Sequence, residues 1–325
     1  MPSSLATTGS TTPAVKQLPR TGVLLCLVSG AAFGAAAVFA KESFAAGWSV
    51  SSLLTVRFVV ASVLLWTVVA IRRPPRPSRR AVLLCVALGA IGYALQSATY
   101  FGALTMLGAG VVAQLVYVYP ALVFLMALVL RRESLGLRKV LALGATSLGL
   151  VLLLQGGGGG SWSALGVLMA LSCAVIYAIY ITIAATFPET LDPVLSAAII
   201  CSAAAASLGT FVVATDSWQL PTKPIGWLWM LAFAVISTVV SIITFLAGLR
   251  RVGPSAAAIL SCVEPVVTAV SSVLVYGEHL SLWQIAGGVA VLASVVLLQL
   301  RRRSPARNSR TEDVSDRDGC DSLRR

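Results

Sequence analysis

Residues 254–276 read PSAAAILSCVEPVVTAVSSVLVY, an apolar run with one ionisable side chain, Glu264, directly before Pro265. About 20 apolar residues in an α-helix cross the hydrocarbon core of a bilayer, where lipid offers the backbone no other hydrogen-bonding partner. We therefore predict that this run spans a membrane and carries a carboxyl group near its middle. Because proline removes a backbone donor, Pro265 also predicts a break in the helix at that depth.

The same pattern occurs 145 residues earlier, where Pro120 aligns with Pro265 and no gap is needed. The other aligned pairs are Leu104 with Leu249, Gly108 with Gly253, Ala113 with Ala258, Glu133 with Glu278 and Leu135 with Leu280. A shift of 144 residues aligns 22–27 with 166–171. Each unit then holds five spans, and because five is odd, the two copies cross the membrane in opposite senses. Inverted repeats of this kind are typical of secondary transporters.

The chain of 325 residues is 58% hydrophobic and 11% charged, with a mean hydropathy of +0.90, which excludes most soluble proteins. We predict an all-α integral membrane protein with ten transmembrane helices as two inverted five-helix repeats. The ten predicted spans are 22–40, 50–71, 80–101, 105–130, 138–155, 163–186, 194–214, 226–247, 254–276 and 282–300. The predicted divisions are a cytoplasmic N-terminal tail (1–21), a first repeat (22–155), a Gly-rich linker (156–161), a second repeat (162–300) and a disordered cytoplasmic tail (301–325).

The distribution of basic residues predicts the orientation of these spans. If the N-terminus is cytoplasmic, the inside segments hold 21 of the 24 Lys and Arg residues, as the positive-inside rule requires. Six of the seven tryptophans, Trp48 among them, then fall at outer helix ends, where their rings prefer the interface. We predict a multi-pass protein of the bacterial inner membrane with both termini in the cytoplasm.

The repeated motifs resemble the EamA-type branch of the drug/metabolite transporter superfamily. They comprise Ala103 through Gly108, Pro120 and 133–135 in the first copy, repeated as 248–254, Glu264 with Pro265, and 277–280. The resemblance implies a bacterial inner-membrane transporter of small organic solutes, with a cavity between the two halves and the last helix of each repeat at the periphery.

Glu264 is the strongest candidate for a functional residue, because an ionisable group within a span is expensive and marks substrate or proton pathways. The break that Pro265 predicts beside it would open backbone groups at the same depth. The alternative is that Glu264 is hydrogen-bonded to a tyrosine or to backbone and only holds helices together. A proton-coupling or substrate role and this structural role both remain open.

Several spans also carry one polar or aromatic stripe. Tyr93, Gln96 and Tyr100 share a helix face, as do Tyr177 and Tyr180 in a later span. Such stripes predict a solvated central cavity, the alternative being helix packing with interhelical hydrogen bonds. The predicted substrate or coupling residues are Glu264, Tyr93, Gln96, Tyr100, Gln114, Tyr117, Tyr177, Tyr180, Ser241 and Ser261, with Pro120 and Pro265 as helix breaks.

Arg57 is the second ionisable residue within a predicted span, about two turns from its outer end. A long side chain at that depth can extend to the interface or reach Glu42, which is the interpretation that we favour. The alternative is a counter-ion for a substrate carboxylate.

The residue inventory argues against an enzyme. The six cysteines have no paired spacing and His279 is the only histidine, so no metal site or cofactor is predicted. There is no G-x-x-x-x-G-K-[ST] motif for a nucleotide. We predict a secondary transporter, an exporter of small metabolites such as amino acids, that works by alternating access with Glu264 as a candidate for proton coupling. The alternative is an uncoupled facilitator or an uptake carrier for a small neutral metabolite or drug. The expected partners are a small-molecule substrate and the lipid bilayer, not nucleic acid, and a homodimer is left open.

Overall fold

The computed structural model describes residues 18–104, 106–107, 112, 115–132, 136–153, 163–277 and 281–299. This part of the chain is helical and contains no strand. The predicted linker (156–161) and the tail from 301 onward lie outside the described residues. The α-helices are α1 Arg20–Gly34, α2 Ala36–Ala45, α3 Val50–Arg72, α4 Arg79–Ala87, α5 Ala94–Leu104, α6 Tyr119–Val129, α7 Leu137–Leu153, α8 Ala164–Ala184, α9 Pro193–Ala214, α10 Ile225–Ala234, α11 Ser241–Val252, α12 Pro254–Ser261, α13 Glu264–Tyr276 and α14 Leu282–Gln299.

Seven helical segments in the described residues are long and apolar enough to cross a membrane. They are Arg20–Ala45, Val50–Arg72, Arg79–Tyr100, Ala164–Ala184, Pro193–Ala214, Ile225–Val252 and Pro254–Tyr276. Three shorter apolar helices lie at Tyr119–Val129, Lys139–Leu152 and Ile285–Ser294. Each of these segments overlaps a predicted span, and the one at Tyr119–Val129 covers less than half of its predicted span, 105–130. The all-helical, membrane-spanning class that the sequence predicts is therefore confirmed.

Two of the long segments contain a stretch of π-helix, and both stretches are six residues long. Leu88–Tyr93 joins α4 to α5, and Val235–Val240 joins α10 to α11. A π turn inserts an extra residue into the helical ladder and is found frequently at functional sites. Both irregularities occur in the third predicted span of a repeat, and their positions differ by two residues when the repeats are aligned at the 145-residue shift.

The helices that surround the two predicted prolines are also interrupted. α12 ends at Ser261, Cys262 and Val263 form a turn, and α13 begins at Glu264. In the first half of the chain, Tyr117 and Val118 form the corresponding turn and α6 begins at Tyr119. Each break lies one step before a proline, which occupies a first-turn position where its missing N–H leaves no helical bond unmade.

Helices from the first half of the chain pack against helices from the second half. α1 packs against α11, α5 against α8, α3 against α9, α6 against α12, and α7 against α14. Small residues permit close approach at several of these contacts. At Gly34 a Cβ atom would lie 2.6 Å from the carbonyl oxygen of Glu264, and at Gly30 it would lie 2.6 Å from a methyl group of Val263. α1 thus lies directly against the break in the α12–α13 segment.

Candidate functional site

Glu264 is the first residue of α13 and lies partly buried at the break between α12 and α13. A carboxylate at a helix N-terminus faces the positive end of the helix dipole, which stabilises its charge. Its side chain lies beside that of Tyr117, which lies in the corresponding break of the first half. The two interrupted segments therefore meet through a tyrosine–carboxyl pair.

The backbone around Glu264 is fixed by α1. The hydroxyl of Thr268 donates to the carbonyl of Gly34 at 3.0 Å and to the carbonyl of Glu264 at 3.1 Å. The absence of a side chain at Gly34 brings the two helices into backbone contact at this point. A movement of α1 would therefore displace the start of α13 and the carboxyl group that it carries.

Five tyrosines form a continuous chain of ring contacts that begins at the partner of Glu264. The Tyr117 ring lies 6.2 Å from Tyr119, and Tyr119 lies 4.6 Å from Tyr177, measured between ring centroids. Tyr177 is 6.3 Å from Tyr180, which is 6.0 Å from Tyr93. Aromatic pairs at these separations attract one another beyond their area of contact. The chain joins helices from both halves of the molecule.

The other end of the chain reaches Arg57. The Tyr93 ring packs edge-on against Phe58 at 4.9 Å. The guanidinium carbon of Arg57 lies 4.4 Å from the ring of Phe58 and 4.4 Å from the ring of Phe233. Arg57 is only 8% exposed, so it does not extend to the interface as the sequence interpretation favours. Glu42, the partner considered for it, instead accepts a hydrogen bond from Tyr276 at 2.9 Å. The reason is that the guanidinium forms cation–π contacts with two buried aromatic rings, and the spacing of residues in the sequence does not reveal these contacts.

The structure thus brings together four of the predicted tyrosines and Glu264. They are Tyr93, Tyr117, Tyr177, Tyr180 and Glu264. Tyr119 also belongs to this group, although the sequence analysis does not select it. It aligns with Glu264 at the 145-residue shift and precedes Pro120, and this signal could have identified it.

The remaining predicted residues have other surroundings. Gln96 donates to the sulfur of Cys173 at 3.6 Å. Tyr100 packs against a small apolar cluster with α8, and it also lies near Glu264 and Tyr117. The backbone carbonyl of Ser241 accepts from Ser29 at 2.8 Å, which is a helix-packing contact between α1 and α11. The Ser261 hydroxyl is buried and has no hydrogen-bond partner among the described residues. Gln114 lies outside the described residues.

Polar contacts between the two halves are concentrated at the end of the molecule where α2 leads into α3. The indole nitrogen of Trp48 donates to the carbonyl of Gly226 at 3.0 Å, and the backbone N–H of Gln219 donates to Ser52 Oγ at 2.9 Å. Trp48 is 4% exposed, so its ring is buried between the halves and does not face the interface with lipid. We call this set of contacts the α2–α3 closure.

A cavity of about 650 Å³ lies apart from the tyrosine chain, between α3, α4 and α9. Its walls include Trp66, Val86 and Leu195, with Arg73 and Arg76 near its edge. None of the predicted site residues that the structure describes lines it. Within the described ranges, no three His, Cys, Asp or Glu side chains are grouped as metal ligands would be.

The chain is similar to known membrane transporters. The EamA-like transporter family matches the chain over residues 20–155 and again over 164–300. An uncharacterized transporter of Bacillus subtilis (strain 168), YcbK, is 24% identical over 296 residues, which are 86% of this chain and 93% of that protein. An uncharacterized transporter of Archaeoglobus fulgidus is 33% identical over 72 residues, which are 22% of this chain and 27% of that protein.

A solved crystal structure shares the fold, with a TM-score of 0.77 at 19% identity over 86% of this chain and 98% of that chain. The family match covers both halves of the chain, and the helices are membrane-spanning in length and composition. The protein is therefore a multi-pass membrane protein that belongs to the EamA-like transporter family of the drug/metabolite transporter superfamily.

Proposed function

We propose that this protein is a secondary transporter that exports small organic metabolites, such as amino acids, by alternating access about the tyrosine chain. In this proposal the chain crosses the membrane ten times, as two five-helix repeats of opposite orientation. The pattern of helix contacts supports the arrangement. If each helix is replaced by its counterpart in the other repeat, the α1–α11 contact becomes the α8–α5 contact, which is also observed. The α3–α9 and α7–α14 contacts each pair a helix with its own counterpart, so they are unchanged.

The observation that carries the functional proposal is the position of Glu264. It lies at a helix break, beside a tyrosine from the opposite break, and at that tyrosine begins a chain of rings that links both halves. Discontinuous helices near the midplane form the substrate and ion sites of many transporters. A carboxyl group in apolar surroundings is stabilised by taking up a proton when no cation faces it. We therefore assign proton coupling to Glu264, with the tyrosines bordering the substrate path.

Alternating access requires that contacts at one end of the molecule break while contacts at the other end form. The α2–α3 closure is the set that holds the halves together at its own end. By the positive-inside rule this end faces away from the cytoplasm, because Arg72, Arg73 and Arg76 follow at the far end of α3. We propose a bacterial inner-membrane location with both termini cytoplasmic, which fusion of a reporter enzyme to the C-terminus would test.

The transport proposal is tested first in bacteria that express the wild-type chain, Glu264→Gln or Glu42→Gln at equal membrane levels. Glu42→Gln is the matched control, because Glu42 is bonded to a tyrosine but lies between the predicted spans 22–40 and 50–71 rather than within one. Cells are challenged with inhibitory amino acids, their analogues and drugs. We expect the wild type and the Glu42 variant to protect against one chemical class, and the Glu264 variant to lose that protection.

The compound found in this way is then used with purified protein in liposomes. We expect Glu264→Gln to lose accumulation driven by a proton gradient and to retain exchange of labelled for unlabelled compound, since exchange needs no net proton movement. Gradient-driven accumulation that survives in Glu264→Gln would refute coupling and leave Glu264 with a structural role. Equilibration without accumulation in the wild type would favour an uncoupled facilitator.

A further inference from the structure

Among the residues that the structure describes, Arg57 is a buried cation without a counter-ion. It is 8% exposed, its Nε is fully enclosed, and no described residue accepts a hydrogen bond from this N–H. In the part of the chain that the structure describes, no acidic side chain is paired with it. Removing a cation from water without pairing it is strongly unfavourable, so a residue of this kind is expected to serve a function.

The aromatic contacts decide which part of the guanidinium remains available. The rings of Phe58 from α3 and Phe233 from α10 each lie 4.4 Å from the guanidinium carbon. Two cation–π contacts compensate part of the lost hydration. A ring supplies no lone-pair acceptor, so the terminal N–H donors at the edge of the guanidinium remain to bind a ligand. The planar edge of a guanidinium matches the two oxygens of a carboxylate.

We propose that Arg57 binds the carboxylate of the transported substrate, and that this substrate is a carboxylate with an aromatic or apolar body. The proposal rests on the transport function proposed above and specifies its substrate class. A single cation neutralises a single negative charge, so the site suits a monoanionic carboxylate better than a phosphate dianion. The body of the substrate lies toward Tyr93 and Tyr180, whose rings follow directly after Phe58.

The position of Phe233 adds a second consequence. Arg57 belongs to the first half of the chain and Phe233 to the second, so this pair of aromatic contacts exists only while α3 and α10 are together. A carboxylate on the edge of Arg57 would therefore be bound by a group that both halves hold in place. Separation of the halves would expose the Arg57 guanidinium to water. This would weaken its bond to the carboxylate and favour release of the substrate.

The experiment uses the full chain in detergent and three pairs of probes, each an acid and its amide. The pairs are phenylacetate and phenylacetamide, hexanoate and hexanamide, and leucine and leucinamide. Binding is measured as the shift of the thermal unfolding midpoint with probe concentration. The variants are Arg57→Gln, Arg57→Lys and, as a matched control at the exposed end of the same helix, Arg72→Gln.

We expect at least one acid, and not its amide, to stabilise the wild type and the Arg72 control. Arg57→Gln should weaken its binding by about 10- to 100-fold, as loss of a hydrogen-bonded charge predicts. Arg57→Lys, which keeps the charge without the planar edge, should be intermediate. Wild-type protein that no acid stabilises, or that acid and amide stabilise equally, would overturn the proposal without any variant being needed.

Transport assays in liposomes distinguish failure of the Arg57 carboxylate site from failure of the proposed transport function. If an amide is carried as fast as its acid and Arg57→Gln carries both, the protein is a transporter and Arg57 is not its carboxylate site. If acids bind through Arg57 but no compound is carried, the binding site stands and the transport function fails. Acids that bind and are carried, with both lost in Arg57→Gln, would support the two together.

Discussion

Replacing Gly34 with alanine measures how tightly α1 and α13 must pack at Glu264. The new Cβ would lie 2.6 Å from the carbonyl oxygen of Glu264 and 2.8 Å from the Cβ of Val267. Neither contact can be relieved by rotating a side chain, because both atoms are fixed by the backbone. The helices must separate by about 0.4 Å before the shorter contact reaches 3.0 Å, and a closely packed interior resists such a shift.

Overpacking of this kind destabilises a protein by about 1–3 kcal/mol. Alanine also has a higher helix propensity than glycine, which by itself stabilises the helix. The comparison therefore needs a control substitution of glycine by alanine that has the same gain in helix propensity. Gly209→Ala provides it, because the nearest atom to its new Cβ is a methyl group of Thr55 at 3.6 Å, an ordinary contact. Gly30→Ala should be intermediate, since its closest contact is the tip of the Val263 side chain.

The assay is unfolding of the purified variants by sodium dodecyl sulfate in mixed micelles, followed by circular dichroism. We expect Gly34→Ala to be less stable than Gly209→Ala by about 1–3 kcal/mol. Proton-driven transport should fall with it, because the displaced helix carries Glu264. Equal stability of the two alanine variants would refute the close contact of α1 with α13 and the positional role that we assign to it.

Other contacts make further predictions. Asp192→Ala should lower the free energy of unfolding by about 0.5–2 kcal/mol, because the Asp192 carboxylate accepts hydrogen bonds from the N–H groups of Val194 and Leu195 at the start of α9. Glu189→Ala on the same loop should have no such effect in the same unfolding assay. Thr146→Val and Ser294→Ala should show a coupling energy of about 0.6 kcal/mol in a double-mutant cycle, because the two hydroxyls form a hydrogen bond of 2.7 Å between α7 and α14. Additive effects of the two substitutions would contradict that bond. Trp48→Phe removes the bond to Gly226 and should cost about 1 kcal/mol, while labelling of a cysteine introduced at Ser217 should become faster as the α2–α3 closure opens.

The sequence predicts those features of the fold that depend on local pattern. Apolar length locates the helical segments, and the Glu264–Pro265 step predicts the break that separates α12 from α13. Periodicity also selects tyrosines that the fold brings together, because residues on one face of a span tend to meet the same neighbours. These are properties of single helices, and they can be read from single stretches of sequence.

Features that depend on two distant segments could not be predicted in this way. Arg57 is buried because Phe233, 176 residues later in the chain, covers it, and no spacing around Arg57 reveals that ring. Trp48 is buried because Gly226 has no side chain where the indole packs. Both residues were interpreted from their depth in a span, which says nothing about whether lipid or another helix lies beside them.

The two π-helical stretches bear on the history of the chain. A π-helical turn in the third predicted span of each half, within two residues of the aligned position, is most simply explained by one such turn in an ancestor of half the present length, since both halves match the same family. The irregularity then predates the duplication and was kept in both descendants, although the surrounding residues diverged. A designed half-length chain that is required to dimerise would therefore need this turn in its third helix, and deleting one residue there should prevent assembly before it prevents insertion.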